Sequence, residues 1–398
     1  MDNNLNIRQE SENMEISFLL PCLNEARTLL DCIRECQEAI RLSGVVGEVV
    51  VSDNGSTDGS QDIVKESGAK LVCATERGYG STLICGIAAV KGRYVLIGDS
   101  DMSYNFLQMP LFLKKLHKGY DLVVGCRMPK GGGEIKSGAM PILHRYLGNP
   151  FLSWLGRLLF KTQIVDFHCG LRAFDREKIL SLNLKYRGME FASEMIVKSK
   201  LAGLKIAQVP VTLRRDGRKR NSHLNTWGDG WKHLRFMLLH APRWLFLYPG
   251  VALCLLSALV FGWLAYSPVL INGIRFDTNT LMISSVGILI GFQILTFGLV
   301  AEIVSARSLR LPQSFMARKI LKIGPFETGI FAGLGFFIAG LICLSLAFIK
   351  WKNVGFGNLS YPDTLRLVIP AVTAISLGVQ VVFGGFLLGI FGSDEDQL

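Results

Sequence analysis

Residues 93–101, RYVLIGDSD, decide how the first half of the chain is read. A short β-rich apolar run ends in glycine and then in two carboxylates one residue apart. The same grammar recurs on either side. ISFLLP (16–21) is followed by a helical stretch from Asn24 to Arg41, VGEVVVS (46–52) ends at Asp53, and AKLVCA (69–74) and YDLVVGC (120–126) are further short runs. Short β-rich runs alternating with amphipathic helices predict an α/β unit around a mainly parallel sheet. Such sheets bind ligands beyond the carboxyl ends of their strands. The polar motifs Asn24-Glu25, Asp53-Asn54-Gly55 and Asp99-Ser100-Asp101 are all placed there.

The chain has 398 residues, 49% of them apolar, and the apolar excess is concentrated after Arg243. Four uncharged segments run from Phe246 to Tyr266, Leu281 to Ala301, Thr328 to Ile349 and Leu367 to Phe391. Each is about 20 residues or more, enough to cross a hydrocarbon core of about 30 Å. The loop between the second and third carries Arg307, Arg310, Arg318, Lys319 and Lys322; Lys350, Lys352 and Arg366 follow the third. Positive charge marks the cytosolic side, so both termini are expected inside, in an integral multi-pass protein of a bacterial inner membrane. The polar, acidic N-terminus is not a signal peptide, and the leading unit is expected in the cytosol.

The formal charge of +11 is clustered. Arg214, Arg215, Arg218, Lys219 and Arg220 fall within seven positions, opposed only by Asp216. No nucleic-acid motif accompanies them, and their place ahead of the first span suits anionic headgroups or a lipid phosphate. Residues 222–245 carry Trp227, Trp231, His233, Arg235 and Trp244, which suits amphipathic helices lying at the membrane interface. The expected organisation is a polar tail (1–13), an α/β unit (14–221), this interfacial segment (222–245), four transmembrane helices (246–391) and an acidic tail (392–398). Nine scattered cysteines without a CxxC pair read as reduced packing thiols.

Asp99 and Asp101 at a strand end can address one hard divalent cation, Mg²⁺ or Mn²⁺, leaving positions for phosphate oxygens. Ser52 to Gly59 is a polar turn entering a helix, with Asp58 as a candidate N-cap. Glu76-Arg77-Gly78-Tyr79-Gly80 lacks the third glycine of a dinucleotide fingerprint and does not follow the first strand, which argues against hydride chemistry.

Taken in order, PCLNE, SDNGSTDGS, ERGYGST, GDSDMS and DFHCGLRAF resemble glycosyltransferase family 2, and within it the dolichyl- or polyprenyl-phosphate sugar synthases. The resemblance covers roughly residues 14 to 245 and implies a Rossmann-like GT-A fold, a UDP- or GDP-linked sugar donor and inversion at the anomeric carbon. It implies that Pro21, Leu23, Asn24, Glu25, Asp53, Asn54, Arg77, Gly80 and Ser100 contact the nucleotide sugar, and that Asp99 and Asp101 hold the metal. It implies roles at the reacting groups for Arg127, Asp166 and Arg172. Arg127, Arg145, Arg172, Arg215, Arg218, Arg220 and Ser222 are expected around the acceptor phosphate; fork-shaped guanidinium groups suit that task.

There are departures from the family pattern. Ser103 and Tyr104 stand where the mannosyl enzymes often carry a glutamine, and His240-Ala241-Pro242-Arg243-Trp244 lacks the glutamine of the processive synthases. The second motif is read as an interface anchor. A phosphate acceptor is already largely anionic near pH 7 and needs no strong base. Transfer to a lipid hydroxyl would need one, with Asp166, Glu190 and Glu194 as candidates. A glycolipid synthase, a non-catalytic scaffold or translocation module, and a processive synthase stay open as alternatives, as does a homo-oligomer.

Overall fold

The computed structural model describes residues 14–217, 226–309 and 315–392. The expected N-terminal tail, the acidic tail beyond Gly392, and Arg218, Lys219, Arg220, Ser222 and Arg310 lie outside the described residues. The chain divides into two compact units, Met1–Leu239 and His240–Leu398.

In chain order the first unit contains β1 (Ile16–Cys22), α1 (Leu29–Ser43), β2 (Gly47–Asp53), α2 (Ser60–Glu66), β3 (Lys70–Cys73), α3 (Tyr79–Ala89), β4 (Tyr94–Ile97), α4 (Met109–Leu116) and β5 (Leu122–Cys126). There follow β6 (Glu134–Ile135), α5 (Asn149–Phe160), β7 (Arg172–Asp175), α6 (Arg176–Ser181), α7 (Phe191–Leu201), β8 (Ile206–Pro210), β9 (Thr212–Leu213) and α8 (Thr226–Leu239). Seven strands form one sheet in the order β3-β2-β1-β4-β7-β5-β8. Phe18, Leu19, Leu20, Val50, Val51, Val95, Leu96, Val123 and Val124 are buried, as expected of strands covered on both faces.

The sheet is parallel except at β7, which runs antiparallel between β4 and β5. Ile97 and Val124 both pair with Arg172, so the residues that lead into β7 arrive at the carboxyl ends of both neighbours. This single reversal brings residues 166–172 to the ligand-binding edge.

Helix α1 begins at Leu29, not Asn24. Asn24 has φ +57°, and its Oδ1 accepts a hydrogen bond from Thr57 N at 2.7 Å, which holds residues 24–28 as a loop against the next one. Gly59, with φ +88°, occupies the cap position of α2, while Asp58 accepts from Ser60 N one step earlier.

In the second unit a wide turn, Arg243–Leu247, leads into α9 (Tyr248–Tyr266). A hairpin, β10 (Val269–Ile271) and β11 (Ile274–Phe276), precedes α10 (Thr278–Leu309), α11 (Phe315–Lys322), α12 (Pro325–Asn353) and α13 (Tyr361–Gly392). Among the described residues four stretches, Arg243–Tyr266, Thr278–Ala306, Pro325–Asn353 and Tyr361–Gly392, are long and apolar enough to cross a membrane. Helices α10, α12 and α13 overrun the expected spans at both ends. Lys350, Lys352 and Arg366, expected in a loop, therefore sit within helices, and Arg366 pairs with Asp277. Arg243 binds Glu302 of α10 at 2.7 Å.

Helices α12 and α13 meet backbone to backbone. A Cβ on Gly333 would stand 2.6 Å from Gly378 O, and one on Gly340 would stand 2.7 Å from Ala371 O. Small residues allow such close approach where lipid gives no hydrophobic drive between helices. Gly333→Leu should wedge this seam open, at a cost of about 1–3 kcal/mol. Melting of the detergent-solubilised protein should then begin several degrees lower; an unchanged melting temperature would mean the contact contributes nothing.

Candidate active site

The acidic loop begins where β4 ends. A Cβ on Gly98 would lie 2.5 Å from the Phe106 ring, so only glycine lets the strand run out over that core residue. The loop is then tied on both sides. Ser100 Oγ donates to Pro21 O at 2.5 Å, and Thr28 Oγ1 donates to Ser100 O at 2.8 Å, binding it to the end of β1. Ser103 N donates to Asp101 Oδ1 at 3.0 Å, and Gly217 N donates to Asp101 O at 2.9 Å. Asp99 Oδ1 accepts from the Tyr79 hydroxyl at 3.2 Å. Burial, and then this carboxylate, push the Tyr79 phenol well above its usual pKa, so it remains a donor.

Arg127, just past β5, grips Asp166 with both arms of its fork, Nε to Oδ2 and an η nitrogen to Oδ1, each at 2.8 Å. Its own backbone N adds a third bond to Oδ2 at 3.1 Å. Both side chains are buried. Burial opposes either charge, yet each partner stabilises the other: Asp166 is held below the usual carboxylate range and Arg127 above the usual guanidinium range. Charge-assisted pairs of this forked kind fix orientation as well as charge.

Arg172 opens β7 and is 1% exposed. Its guanidinium donates to three carbonyls: Cys169 O at 2.8 Å, Phe167 O at 2.7 Å and Ala192 O at 2.5 Å. It thereby staples the 167–169 loop to the start of α7. Tyr104 does the same from below, its hydroxyl accepting from Gly170 N at 2.8 Å.

A cavity of about 120 Å³ opens among these groups, with Asp99, Tyr79, Arg127, Arg172 and His168 in its wall. Ser193 Oγ lies 3.4 Å from His168 Nε2 and 2.9 Å from His233 Nδ1, and the two rings meet edge to face at 4.4 Å between centroids. Among the candidate phosphate ligands, Arg127 and Arg172 share this cavity. Arg145 does not line it; its guanidinium stacks on Tyr146, and Arg215 is exposed. Tyr79, His168 and Ser193 were not singled out in the sequence, and His233 was read there as part of the interfacial segment. Tyr79 lies inside a quoted motif, and only the packing of α3 aims it at Asp99.

The remaining candidates lie along the ends of β1 and β2. Asp53 is buried, with Oδ2 accepting from Gly55 N, Ser56 N and Gln61 Nε2. Burial opposes its charge, but these donors hold its pKa below the usual value. Its Oδ1 is buried without a hydrogen-bond partner among the described residues. Asn54 bridges the next loop, donating to Glu76 O and accepting from Gly78 N. Glu25 N donates to Ser60 Oγ; Pro21 and Leu23 flank this edge half-buried, and Arg77 is exposed. Gly80 packs against backbone: a Cβ there would come within 2.1 Å of Tyr186 O.

No group of three or more His, Cys, Asp or Glu side chains is gathered for a metal among the described residues. Two carboxylates on a tied loop nevertheless suit Mg²⁺ or Mn²⁺, since Mg²⁺ is commonly bound through one or two carboxylates plus substrate phosphates and water.

Burial lowers the pKa of both His168 and His233, the latter to about 4. In the unfolded chain each titrates near 6.5. The folded protein therefore refuses protons that the unfolded chain takes up, and stability should fall as pH drops from about 6.5 towards 4. Loss of the depressed Asp166 charge adds to this only at lower pH. Melting temperatures measured between pH 7.5 and 4.5 should decline, and His233→Gln should flatten the slope. Removing the buried partner by Asp166→Asn should cost about 3–5 kcal/mol at neutral pH.

Comparison with known proteins shows the family. Residues 17–180 match the model for glycosyl transferase family 2, and residues 300–392 match that for the glycosyltransferase family 2 C-terminal transmembrane region. The low-salt glycan biosynthesis hexosyltransferase Agl6 of Haloferax volcanii is 34% identical over 378 residues, which cover 95% of this chain and 89% of that protein. A dolichyl-phosphate hexose transferase of the same organism is 29% identical over 44% of this chain and 73% of its own length. Among solved structures, glucosyl-3-phosphoglycerate synthase of Mycobacterium tuberculosis, in complex with Mn²⁺, UDP-glucose and phosphoglyceric acid, is 26% identical. It covers 58% of this chain and 80% of its own, with a TM-score of 0.47.

Proposed function

The chain belongs to glycosyltransferase family 2, and from that membership we propose that it moves a hexose from a UDP- or GDP-linked donor onto a polyprenyl phosphate, undecaprenyl or dolichyl, at the cytosolic face of a membrane. It is a membrane glycosyltransferase with a GT-A domain ahead of its transmembrane region. Two relatives support the finer reading: one named a hexosyltransferase, aligned over nearly the whole chain, and one named a dolichyl-phosphate hexose transferase.

The observation that carries the proposal is the pairing of an acidic loop at the end of β4 with a buried, cation-rich wall in which two of the three candidate bases, Asp166 and Glu194, are already engaged. Asp166 is held by Arg127, and Glu194 is held by Lys198 at 2.8 Å and by the backbone N–H groups of Lys185 and Tyr186. An acceptor that arrives already ionised matches such a site. An oxygen of the acceptor phosphate attacks C1 of the sugar from the face opposite the leaving group. The C1–oxygen bond to the nucleoside diphosphate breaks with its electron pair, and the configuration inverts. Asp99 and Asp101 would hold Mg²⁺ or Mn²⁺, which when bound offsets the charge that builds on the departing diphosphate. Tyr79 orients Asp99. The Arg127–Asp166 pair keeps one fixed cation in the wall, and Arg172 holds the loop that carries His168. On the nucleotide side, the Asp53 Oδ1 that has no partner among the described residues suits a base or ribose donor. The exposed Arg215, with Arg218, Arg220 and Ser222, is assigned to the lipid phosphate. In the membrane we place the catalytic unit and both termini on the cytosolic side.

Transfer to a lipid hydroxyl is the second reading. It is favoured by one detail, Glu190 Oε2, which is buried without a hydrogen-bond partner among the described residues. Membranes carrying the protein should be offered labelled nucleotide sugars with undecaprenyl phosphate, dolichyl phosphate or diacylglycerol, with and without EDTA. Label should enter a polyprenyl phosphate, EDTA should stop it, and Asp101→Asn should lower the rate on the order of 100-fold or more. Glu190→Gln should leave the rate near wild type. Turnover with diacylglycerol alone, abolished by Glu190→Gln, would instead establish the hydroxyl reading.

A further inference from the structure

The loop ahead of β7 is pinned through its backbone at four successive residues. Phe167 N donates to Ser153 Oγ at 3.2 Å, His168 N donates to Asp166 Oδ1 at 3.3 Å, Arg172 donates to the carbonyls of Phe167 and Cys169, and Gly170 N donates to the Tyr104 hydroxyl. At the centre of this clamp is His168, which lines the same cavity as Asp99. Gly170, two positions on, runs so close to the acidic loop that a Cβ there would come within 2.8 Å of Asp99 Oδ2. Supporting bonds of this density hold a side chain to one place.

The ring is tied as well. Its Nε2 lies 3.4 Å from Ser193 Oγ, which lies 2.9 Å from Nδ1 of His233 on α8. Ser193 and His233 are buried. Burial first, then the second ring and the Arg127 and Arg172 cations, push the His168 pKa down; burial does the same at His233, and both imidazoles are neutral. A neutral imidazole has one N–H and one lone pair, and a hydroxyl between two such rings donates to one and accepts from the other. The chain therefore runs in one of two directions. Run from His168 to His233, it leaves a lone pair on His168 Nδ1; run the other way, it leaves an N–H there. Two facts favour the first direction. A hydroxyl donor makes the shorter bond and an N–H donor the longer, which assigns the Ser193 proton to His233. Two guanidinium cations in the cavity wall favour a lone pair over a further N–H. That lone pair is unused: His168 Nδ1 is buried without a hydrogen-bond partner among the described residues.

We propose that His168 Nδ1 accepts a hydrogen bond from a hydroxyl group of the donor hexose, with Ser193 and His233 as positioning residues that set the required tautomer. The proposal rests on the transfer reading of the site. A lone pair repels phosphate oxygens, so the partner is a sugar hydroxyl and neither the diphosphate nor the acceptor phosphate. The 3.4 Å bond to Ser193 is long and leaves the ring room to tilt towards the sugar; such bonds tighten when a site fills. A site built to bond a hydroxyl discriminates strongly against a ligand that does not offer it. His168 is thus a residue by which the enzyme chooses among hexoses.

The full chain in nanodiscs with Mg²⁺, without acceptor lipid, is titrated by calorimetry with UDP, GDP, UDP-glucose, UDP-galactose and GDP-mannose. His168→Phe keeps a ring but no ring nitrogen. It should weaken the tightest-binding of the three nucleotide sugars about tenfold and leave the bare nucleotide unchanged. His168→Asn carries an amide oxygen near the place of Nδ1 and should keep the affinity within a few-fold. His168→Gln carries its amide near the place of Nε2 and should lose as much as His168→Phe. A histidine needed only for its bond to Ser193 gives the reverse order, Gln above Asn, and that result would overturn the proposal. So would equal losses for nucleotide and nucleotide sugar. Should His168→Phe fail to fold, as melting would reveal, the order of Asn and Gln decides. A wild type that binds none of the three nucleotide sugars would overturn the transfer reading itself, and this contact with it.

Discussion

The buried bond between Arg127 and Asp166 is the constraint on which the candidate site depends. One partner stands at the end of β5 and the other on the loop that leads into β7, thirty-nine positions later. Without the carboxylate the guanidinium would be an uncompensated buried charge; without the guanidinium the loop would lose two hydrogen bonds at once. Asp166 also accepts from His168 N, so the same bond that fixes the arginine sets the start of the histidine's loop. Cation, loop and ring are thus positioned by one interaction whose cost in desolvation is offset only while its geometry stays intact.

The reversal at β7 gives that bond something to act on. In a wholly parallel sheet the segment before a strand lies at the far edge from the ligand. Because β7 runs the other way, its leading residues reach the side where β1, β2 and β4 run out. The acidic loop is tied to β1 by Ser100 and to the start of α1 by Thr28, and the 166–172 loop leads into the antiparallel strand. Two loops distant in sequence thereby share one cavity wall.

Much of this was legible in the residues. The runs ending at Cys22, Asp53, Ile97 and Cys126 announced themselves because strands buried on both faces read as unbroken apolar stretches, and the long spans are legible for a related reason. β7 was not legible: Arg172-Ala173-Phe174-Asp175 is four residues long and charged at both ends, and its strand character comes from its two neighbours. The start of α1 was misplaced because the loop at residues 24–28 is held by hydrogen bonds from the 56–60 segment, which local propensity does not report. The arginines drew attention as free phosphate ligands; their partners, an Asp for one and three carbonyls for the other, are tertiary facts.

The glycine seam between α12 and α13 has a consequence of a different kind. Most contacts in proteins ask side chains to surrender rotamers, and that surrender grows more costly on heating. At Gly333, Gly340, Gly378 and Gly385 there are no rotamers to surrender. Two spans joined by a short connection are held by main-chain atoms that neither titrate nor oxidise nor swivel. The pair should thus stay closed across changes of acidity and redox poise that would disturb the histidines and thiols elsewhere in the chain.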